Sequence, residues 1–451
     1  MPDAVDAVID RVRARVTPDD DERAALEAAL TTAIDRTNEA LAELPVDATV
    51  RHLGSTARDT WLAGDRDIDI FVCFPPALDR ADLEEYGLAV GHAVLPDGRE
   101  EFAEHPYVVG EIDGFQVDLV PCYAVDDPTE IRSAVDRTPF HDAYLADRLD
   151  EHLAGEVRVT KQLLSAVGAY GSDLRTRGFS GFLVELLVLE YGGLRSLCEA
   201  AADWQPPMRI DPAGHGSATF EDPLVVIDPT DPERNVAAVC SAENVARFQH
   251  YSRALLATPD AALFEPSEPA TLDQDALEAV IRHRSTSPVA LRFTAPGVVE
   301  DQLYPQLEKS LTGIIAELDR RGFDVLRADA WADGDAVIFA ELAVAERPAI
   351  ERHEGPPVAV REHAERFYET YADDTTVTGP YIDGDRYVVE RPREFTSAVE
   401  FLESDRLFDV GLGADVETAL REHYDVLAGE AVAELRETFG AELSAFYEPN
   451  P

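Results

Sequence analysis

The sequence predicts a multidomain α+β protein. Three observations say so: the first 145 residues interleave helical periodicity with short strands, the middle to about residue 270 carries apolar positions mostly at helical spacing, and strands alternate with helices again from Val289. A chain of 451 residues has room for roughly two to four domains. We place the divisions at 1–145, 146–270 and 271–451, the last beside the Pro-rich stretch Glu265 to Pro269, a linker candidate.

The chain opens with helices. Val5, Val8, Ile9, Val12 and Val16 recur at helical spacing, Thr17 and Pro18 punctuate, and Leu26, Leu30, Ile34 and Leu41 resume the pattern; two antiparallel helices flanking a sheet are expected. Thr49 to Leu53 and Asp67 to Phe74 read as strands of that sheet. Successive strand side chains point to opposite faces, so Asp67 and Asp69 share one face while Ile68 and Ile70 enter the core. Two carboxylates side by side repel, and the arrangement makes physical sense with a hard divalent cation between them. Ahead of them, Gly54 and Ser55 form a turn before a helix-like segment and offer backbone N–H groups and a hydroxyl to a phosphate. Alone, an Asp-x-Asp in an acidic protein is ordinarily a solvated edge and a Gly-Ser pair a plain turn. Their combination, with eleven residues (56–66) between Ser55 and Asp67, is much rarer.

A helix at Leu83 to Val94 precedes a hairpin of Tyr107 to Glu111 and Phe115 to Val120, turning at Asp113 and Gly114. Its second strand holds Asp118 between Val117 and Leu119, a third carboxylate flanked by core residues. The region from about 140 to 275 reads as mostly helical, with Thr160, Lys161, Leu163, Leu164, Val167 and Tyr170 on an amphipathic stretch that breaks at Gly171 and Ser172. Arg175 and Arg177 follow in a turn of cations and hydroxyls, which on local grounds reads equally well as a helix connection with solvated arginines. Two Asp-Pro pairs, at Asp228 and Asp231, put Arg234 in a restrained loop or first helical turn. Beyond the linker come a strand at Val289 to Phe293, a helix at Asp301 to Arg321, and strands at Phe323 to Ala330 and Ala336 to Val344. A helix with Phe367, Tyr368 and Tyr371, a hairpin at Tyr381 to Glu390, and helices at Arg393 to Leu402 and Asp415 to Phe439 complete the chain. The β-α-β-β order suits a small α+β sandwich of the kind many RNA-binding modules use, although a fold does not by itself prove binding.

The charge is unusual: 89 acidic against 39 basic residues leave a formal net charge of −50, and only Lys161 and Lys309 are lysine. Spread along the whole chain, this looks like adaptation to a salt-rich cytoplasm, because at ~1 M salt the Debye length is about 3 Å and self-repulsion is screened. The same screening makes net charge a poor argument against a nucleic-acid partner, for which local cations matter more. Cys73, Cys122, Cys198 and Cys240 are far apart in sequence and form no metal-binding pattern, so buried free thiols are expected. The N-terminus, with Asp3, Asp6 and Asp10, is unlike a signal peptide. The most apolar run, Phe182 to Leu189, is short and carries Glu185, so no membrane span is expected.

The Gly-Ser turn, the paired aspartates and the later third carboxylate resemble the signature of the DNA polymerase β nucleotidyltransferase superfamily. Six segments narrow the resemblance: GSTARDTWLAGDRDIDIF, VDLVPCY, GSDLRTRGFSGFLVELL, DPTDPERNVAA, HEGPPV and GPYIDGDRYVVE. In this order, over nearly the whole length, they are similar to the archaeal-type, class I CCA-adding enzymes, which complete the 3′ end of tRNA without a nucleic-acid template.

That resemblance implies a polymerase-β-like nucleotidyltransferase palm as a catalytic head over 1–145, a helical nucleotide-selecting neck over 146–270, and an α+β tRNA-binding body and tail over 271–451. It implies that Asp67, Asp69 and Asp118 are catalytic and hold two Mg²⁺ ions, with CTP and ATP as substrates and pyrophosphate released. Triphosphate contacts fall to Ser55, Arg58, His141, Lys161 and Tyr170, base selection to Arg234, and the RNA end or nearby structure to Arg175 and Arg177. The residue chemistry agrees at Lys161, where a compact ammonium is kept in a chain that otherwise uses arginine. A guanidinium fork at Arg234 can hydrogen-bond the edge of cytosine or adenine. Taken alone, His141 reads as a surface residue and Tyr170 as a core aromatic. The implied partners are the acceptor stem and TΨC-loop side of tRNA, read by shape, in the cytoplasm and away from membranes; a homodimer is left open.

Two other readings stand beside this one. Another enzyme of the superfamily, such as a poly(A) polymerase or a small-molecule nucleotidyltransferase, is not excluded by the first domain alone. A non-catalytic RNA-binding protein on a polymerase scaffold is disfavoured by the three carboxylates.

Overall fold

Ile68, Ile70, Val72 and Phe74 alternate with Asp67, Asp69, Phe71 and Cys73, and this period of two builds the strand at the heart of the first sheet. The computed structural model describes residues 4–102, 104–266 and 271–451. It comprises two units, Met1–Ser267 and Glu268–Asn450; residues 267–269 of the expected linker lie outside the described residues.

The first unit contains a five-stranded sheet of β1 (Thr49–Leu53), β2 (Asp67–Phe74), β3 (Arg99–Phe102), β4 (Pro106–Ile112) and β5 (Phe115–Tyr123), in the order β1-β2-β5-β4-β3. β2 and β5 run parallel, which sets Asp69 directly beside Asp118; β1 and β4 join them antiparallel. β3 was not expected, since the sequence REEF carries no alternation to betray it. The apolar face of the sheet packs with Leu26, Ala29 and Ala33 of a helix at Asp20–Ala42 and with Leu83, Val90 and Val94 of a helix at Arg80–Val94. The first of these helices starts on a capping box between Asp19 and Glu22.

The N-terminal helix, Ala4–Val16, does not flank this sheet as expected. Val5, Val8, Ile9, Val12 and Val16 enter a second core with residues from 145 onward, and Arg13 pairs with the buried Glu156. Helical periodicity shows that a face is buried, but not against which neighbour.

Around that second core lie helices at Thr138–Ala146, Glu151–Ala166, Gly181–Tyr191, Leu194–Ala201 and Ala242–Ala257. They share it with a small sheet of β6 (Met208–Ile210), β7 (Leu224–Asp228) and β8 (Asp231–Asn235), where mostly helix was expected. Arg234 is therefore on a strand of a tight hairpin rather than in a loop or first helical turn. Leu224, Val225, Val226 and Ile227 are all buried, the pattern of an interior strand. Asp228 makes the turn by accepting from the Thr230 N–H at 2.8 Å.

In the second unit, β9 (Ser287–Thr294), β10 (Val325–Asp333), β11 (Asp335–Leu342) and a late strand at Asp425–Ala428 form one sheet, and strands at Ile350–Pro357, Thr378–Asp383 and Arg386–Pro392 form another. The expected long helix at Asp415 to Phe439 is interrupted. It ends at Glu422, and Val426 then pairs with Leu291 of β9, so sheet pairing overrides local helical propensity. All four cysteines are buried and free. Cys73 and Cys122, far apart in sequence, nevertheless face each other across β2 and β5 with their sulfurs 3.3 Å apart. Among the described residues no helix is long and apolar enough to cross a membrane.

Candidate active site

β1 ends at Leu53, opposite Asp69 of β2, and Gly54 then turns the chain with φ +81°, a left-handed conformation that side chains resist. The turn leads into a single helical turn, Gly54–Ala57, that carries Ser55. A second demand on Gly54 is steric: the Asp69 carboxylate occupies the space that a Cβ at position 54 would need.

Three carboxylates share the face that this turn overlooks. Asp69 and Asp118 are register partners, and Asp67 lies two residues earlier beside Gln116, whose Nε2 donates to Asp118 at 3.2 Å. Burial, reinforced by Asp67, pushes the Asp69 carboxyl up to about 6, while Arg58 and Lys161 pull the other way. Burial and Asp69 likewise push Asp118 up to about 6, and burial with Asp65 raises Asp67. Among the described residues, no three His, Cys, Asp or Glu side chains are gathered closely enough to hold an ion as they stand. The hard oxygen donors and the repulsion among carboxylates on one face nevertheless suit a divalent cation.

Cations stand behind this face, each tied to a specific partner. Arg58 donates to both oxygens of Glu185 at 3.1 and 2.9 Å and to Asp142 at 2.7 Å, and Thr60 donates to Glu185 at 2.6 Å. Lys161 is almost wholly buried; its Nζ donates to the Thr60 carbonyl at 2.9 Å and lies 6.0 Å from the centre of the Tyr170 ring. Burial draws the Lys161 ammonium below its ordinary value, against the pull of Glu185, and burial raises the Tyr170 hydroxyl.

A second group of predicted residues meets around Asp228. His141 Nε2 and Arg234 Nη1 both hydrogen-bond its Oδ2 at 2.8 Å, and the His141 ring stacks on Phe182 with centroids 3.9 Å apart. Residue 142, next to His141, is the Asp142 that holds Arg58, so the two groups adjoin. Arg175 is exposed, and Arg177 adopts φ +51° in the loop before the Gly181–Tyr191 helix. Asn244 pins that loop by donating to the Thr176 and Arg177 carbonyls at 2.7 and 3.0 Å.

Comparison with known proteins agrees over the full length. The family descriptions "Nucleotidyltransferase domain", "tRNA nucleotidyltransferase, second domain" and "CCA-adding enzyme, C-terminal domain" match residues 34–141, 155–265 and 284–429. A CCA-adding enzyme of Haloarcula marismortui is 59% identical over 100% of both chains, and one of Halorubrum lacusprofundi is 60% identical over 100% of both. The chain belongs to the CCA-adding enzyme family. A more distant member, from Methanoregula boonei, is 43% identical over 85% of this chain and 84% of its own. Membership makes this a tRNA nucleotidyltransferase of polymerase-β-like nucleotidyltransferase fold, and it places halophilic archaea among its relatives, in keeping with the acid loading.

Within this family member, several residues that sequence reasoning passed over hold the site together. Glu185 is the chief of them. A carboxylate in the otherwise apolar run Phe182 to Leu189 was its signal, because a charge is buried on an apolar helix only when it is paired. Asp228 had a weaker signal in its Asp-Pro turn. Asp142, Thr60 and Gln116 had none.

Proposed function

We propose that this chain completes tRNA by adding C, C and A to its 3′ end without a template, using CTP and ATP and releasing pyrophosphate. The observation that carries the reading is the face shared by Asp67, Asp69 and Asp118 in a member of the CCA-adding enzyme family. These carboxylates would hold two Mg²⁺ ions, which when bound acidify the attacking 3′-hydroxyl and neutralise the triphosphate and the leaving pyrophosphate. Asp118 serves the attacking hydroxyl and takes its proton. Ser55, Lys161 and Tyr170 receive the triphosphate with His141. Arg58, held by Glu185 and Asp142, acts chiefly through its fixed positive charge. Arg234 reads the base edge, while Arg175 and Arg177 lie toward the RNA end. Catalysis is then positioning and electrostatics with no covalent enzyme intermediate.

We assign these tasks to a head at 1–145 and a neck at 146–270, and we assign the acceptor stem and TΨC-loop side of tRNA to a body and tail at 271–451. The reading places the work in the cytoplasm and is compatible with one copy of the chain or with a homodimer. Incubation with a tRNA lacking its terminal CCA tests it: addition of a long homopolymer, or indifference to tRNA, would instead favour a different polymerase-β-type enzyme.

A further inference from the structure

We propose that Asp228 is a positioning residue for nucleotide selection, a single buried carboxylate that fixes His141 and Arg234 relative to one another. This rests on the reading of His141 as a triphosphate contact and Arg234 as the base reader.

Asp228 is fully buried at the end of β7, and its carboxylate divides its hydrogen bonds by side. Oδ1 accepts from the Thr230 N–H at 2.8 Å and the Thr230 hydroxyl at 2.7 Å, which locks the rotamer within the hairpin. Oδ2 faces outward from the turn and accepts from His141 and Arg234, each at 2.8 Å. The backbone is held as well, because His215 Nε2 lies 2.9 Å from the Asp228 carbonyl oxygen. An Arg137–Asp231 ion pair at 3.2 Å braces the same hairpin against the segment that leads into His141.

Both clients of Oδ2 are restrained by it in a useful way. The His141 ring plane is set by Phe182, so the hydrogen bond to Asp228 fixes its remaining rotation. Arg234 surrenders Nη1 to Asp228 but keeps 38% of its side chain exposed, leaving the rest of its fork for a base edge. A flexible arginine discriminates between base edges only when its fork is held in one plane. In a nucleotide the base and the triphosphate are joined covalently through the sugar at a limited span. Two side chains anchored on one oxygen can measure that span, whereas two independently mobile ones cannot.

Asp228→Asn is the probe. Its amide oxygen can still accept from Thr230 and keep the turn, which directs the amide NH₂ at Arg234, donor against donor. With CCA-lacking tRNA in high salt, the ratio of kcat/KM for CTP over UTP is expected to fall about tenfold, with KM rising more than kcat falls. Loss of folded protein without any change in that ratio is what a purely structural role gives. A folded Asp228→Asn enzyme with wild-type discrimination therefore overturns the proposal. The double variant Asp228→Asn/Arg234→Ala should discriminate no worse than Arg234→Ala alone, and additive losses would overturn the coupling. Arg234→Ala also separates the two ideas. Wild-type discrimination in that variant refutes Arg234 as base reader, whereas impaired discrimination there beside a normal Asp228→Asn refutes only the anchoring role. Should Asp228→Asn not fold, Thr230→Ala loosens the carboxylate without removing its charge, because it deletes the hydroxyl bond to Oδ1 and leaves the backbone N–H bond in place. About a twofold loss of discrimination is then expected, and an unchanged ratio overturns the proposal.

Discussion

The Asp69 carboxylate lies where a methyl group on Gly54 would have to stand. Together with φ +81° at Gly54, this makes the turn and the carboxylate one unit: the glycine exists both to turn the chain and to make room. Gly54→Ala should therefore displace Asp69, lowering kcat at least about 100-fold through misplacement of a reacting group. The cost to stability should be only about 1–3 kcal/mol. Single-turnover rates beside a thermal melt separate the two effects, and a variant that keeps its wild-type rate would show that Asp69 is not held by this contact.

A pH dependence follows from the paired carboxyls. Asp69 and Asp118 are each pushed up to about 6, above the ~4 of a free carboxyl. As pH rises from about 4 to about 6, the unfolded chain gives up protons that the folded chain retains, so the metal-free fold loses stability over that window. Asp118→Asn removes the part of this cost that Asp118 itself carries. Without divalent metal it should be more stable than wild type by on the order of 1 kcal/mol at pH above about 7, and no more stable near pH 4. Adding Mg²⁺ should raise the wild-type Tm and leave that of the variant nearly unmoved. Melting curves at both pH values, with and without Mg²⁺, check the sign.

Glu185 is 1% exposed and holds both Arg58 and Thr60. Glu185→Ala leaves a guanidinium of which 11% is exposed with Asp142 as its remaining carboxylate and should cost about 3 kcal/mol, with Glu185→Gln costing less. Because Arg58 contributes to the field at Asp69, KM for the nucleotide should rise in both. Denaturant unfolding in high salt, alongside nucleotide kinetics, measures the pair of effects; an undisturbed melt in Glu185→Ala would mean that Asp142 alone suffices for Arg58.

These predictions mark the line between what the sequence makes legible and what it does not. Strand alternation at Asp67 to Ile70 and around Asp118 placed three carboxylates on shared faces, because period two is a local property that the backbone enforces. The side-by-side register of Asp69 and Asp118 needed the parallel pairing of strands nearly fifty residues apart, and no local pattern encodes that. The chemistry of Arg234 is legible in the sequence but its strand is not, because the Asp-Pro pairs look the same before a helix as in a hairpin. The destination of the first helix was missed for a related reason. Its apolar face fits either core equally well by periodicity, and only the Arg13–Glu156 pair and its neighbours distinguish them.

The charge of −50 gives a prediction about solvent rather than about any one residue. In dilute buffer the Debye length grows to about 30 Å at 0.01 M salt, so repulsion among the acidic side chains acts across the whole fold. Dialysis from molar to millimolar salt should unfold the protein, with loss of the helical circular dichroism signal and its recovery on restoring salt. A spectrum and activity that persist in low salt would remove the adaptation reading.

The central claim is that the face of Asp67, Asp69 and Asp118 carries template-independent CCA addition. It is tested most directly by incubating wild type and Asp69→Ala, in high salt with Mg²⁺, with a tRNA that ends before its CCA, and resolving the products at single-nucleotide resolution. CTP alone should extend the tRNA by two residues, CTP with ATP by three and no further, and Asp69→Ala should extend it by none. Nucleotide addition by Asp69→Ala at the wild-type rate, or wild-type products that run on as a homopolymer, would contradict the account.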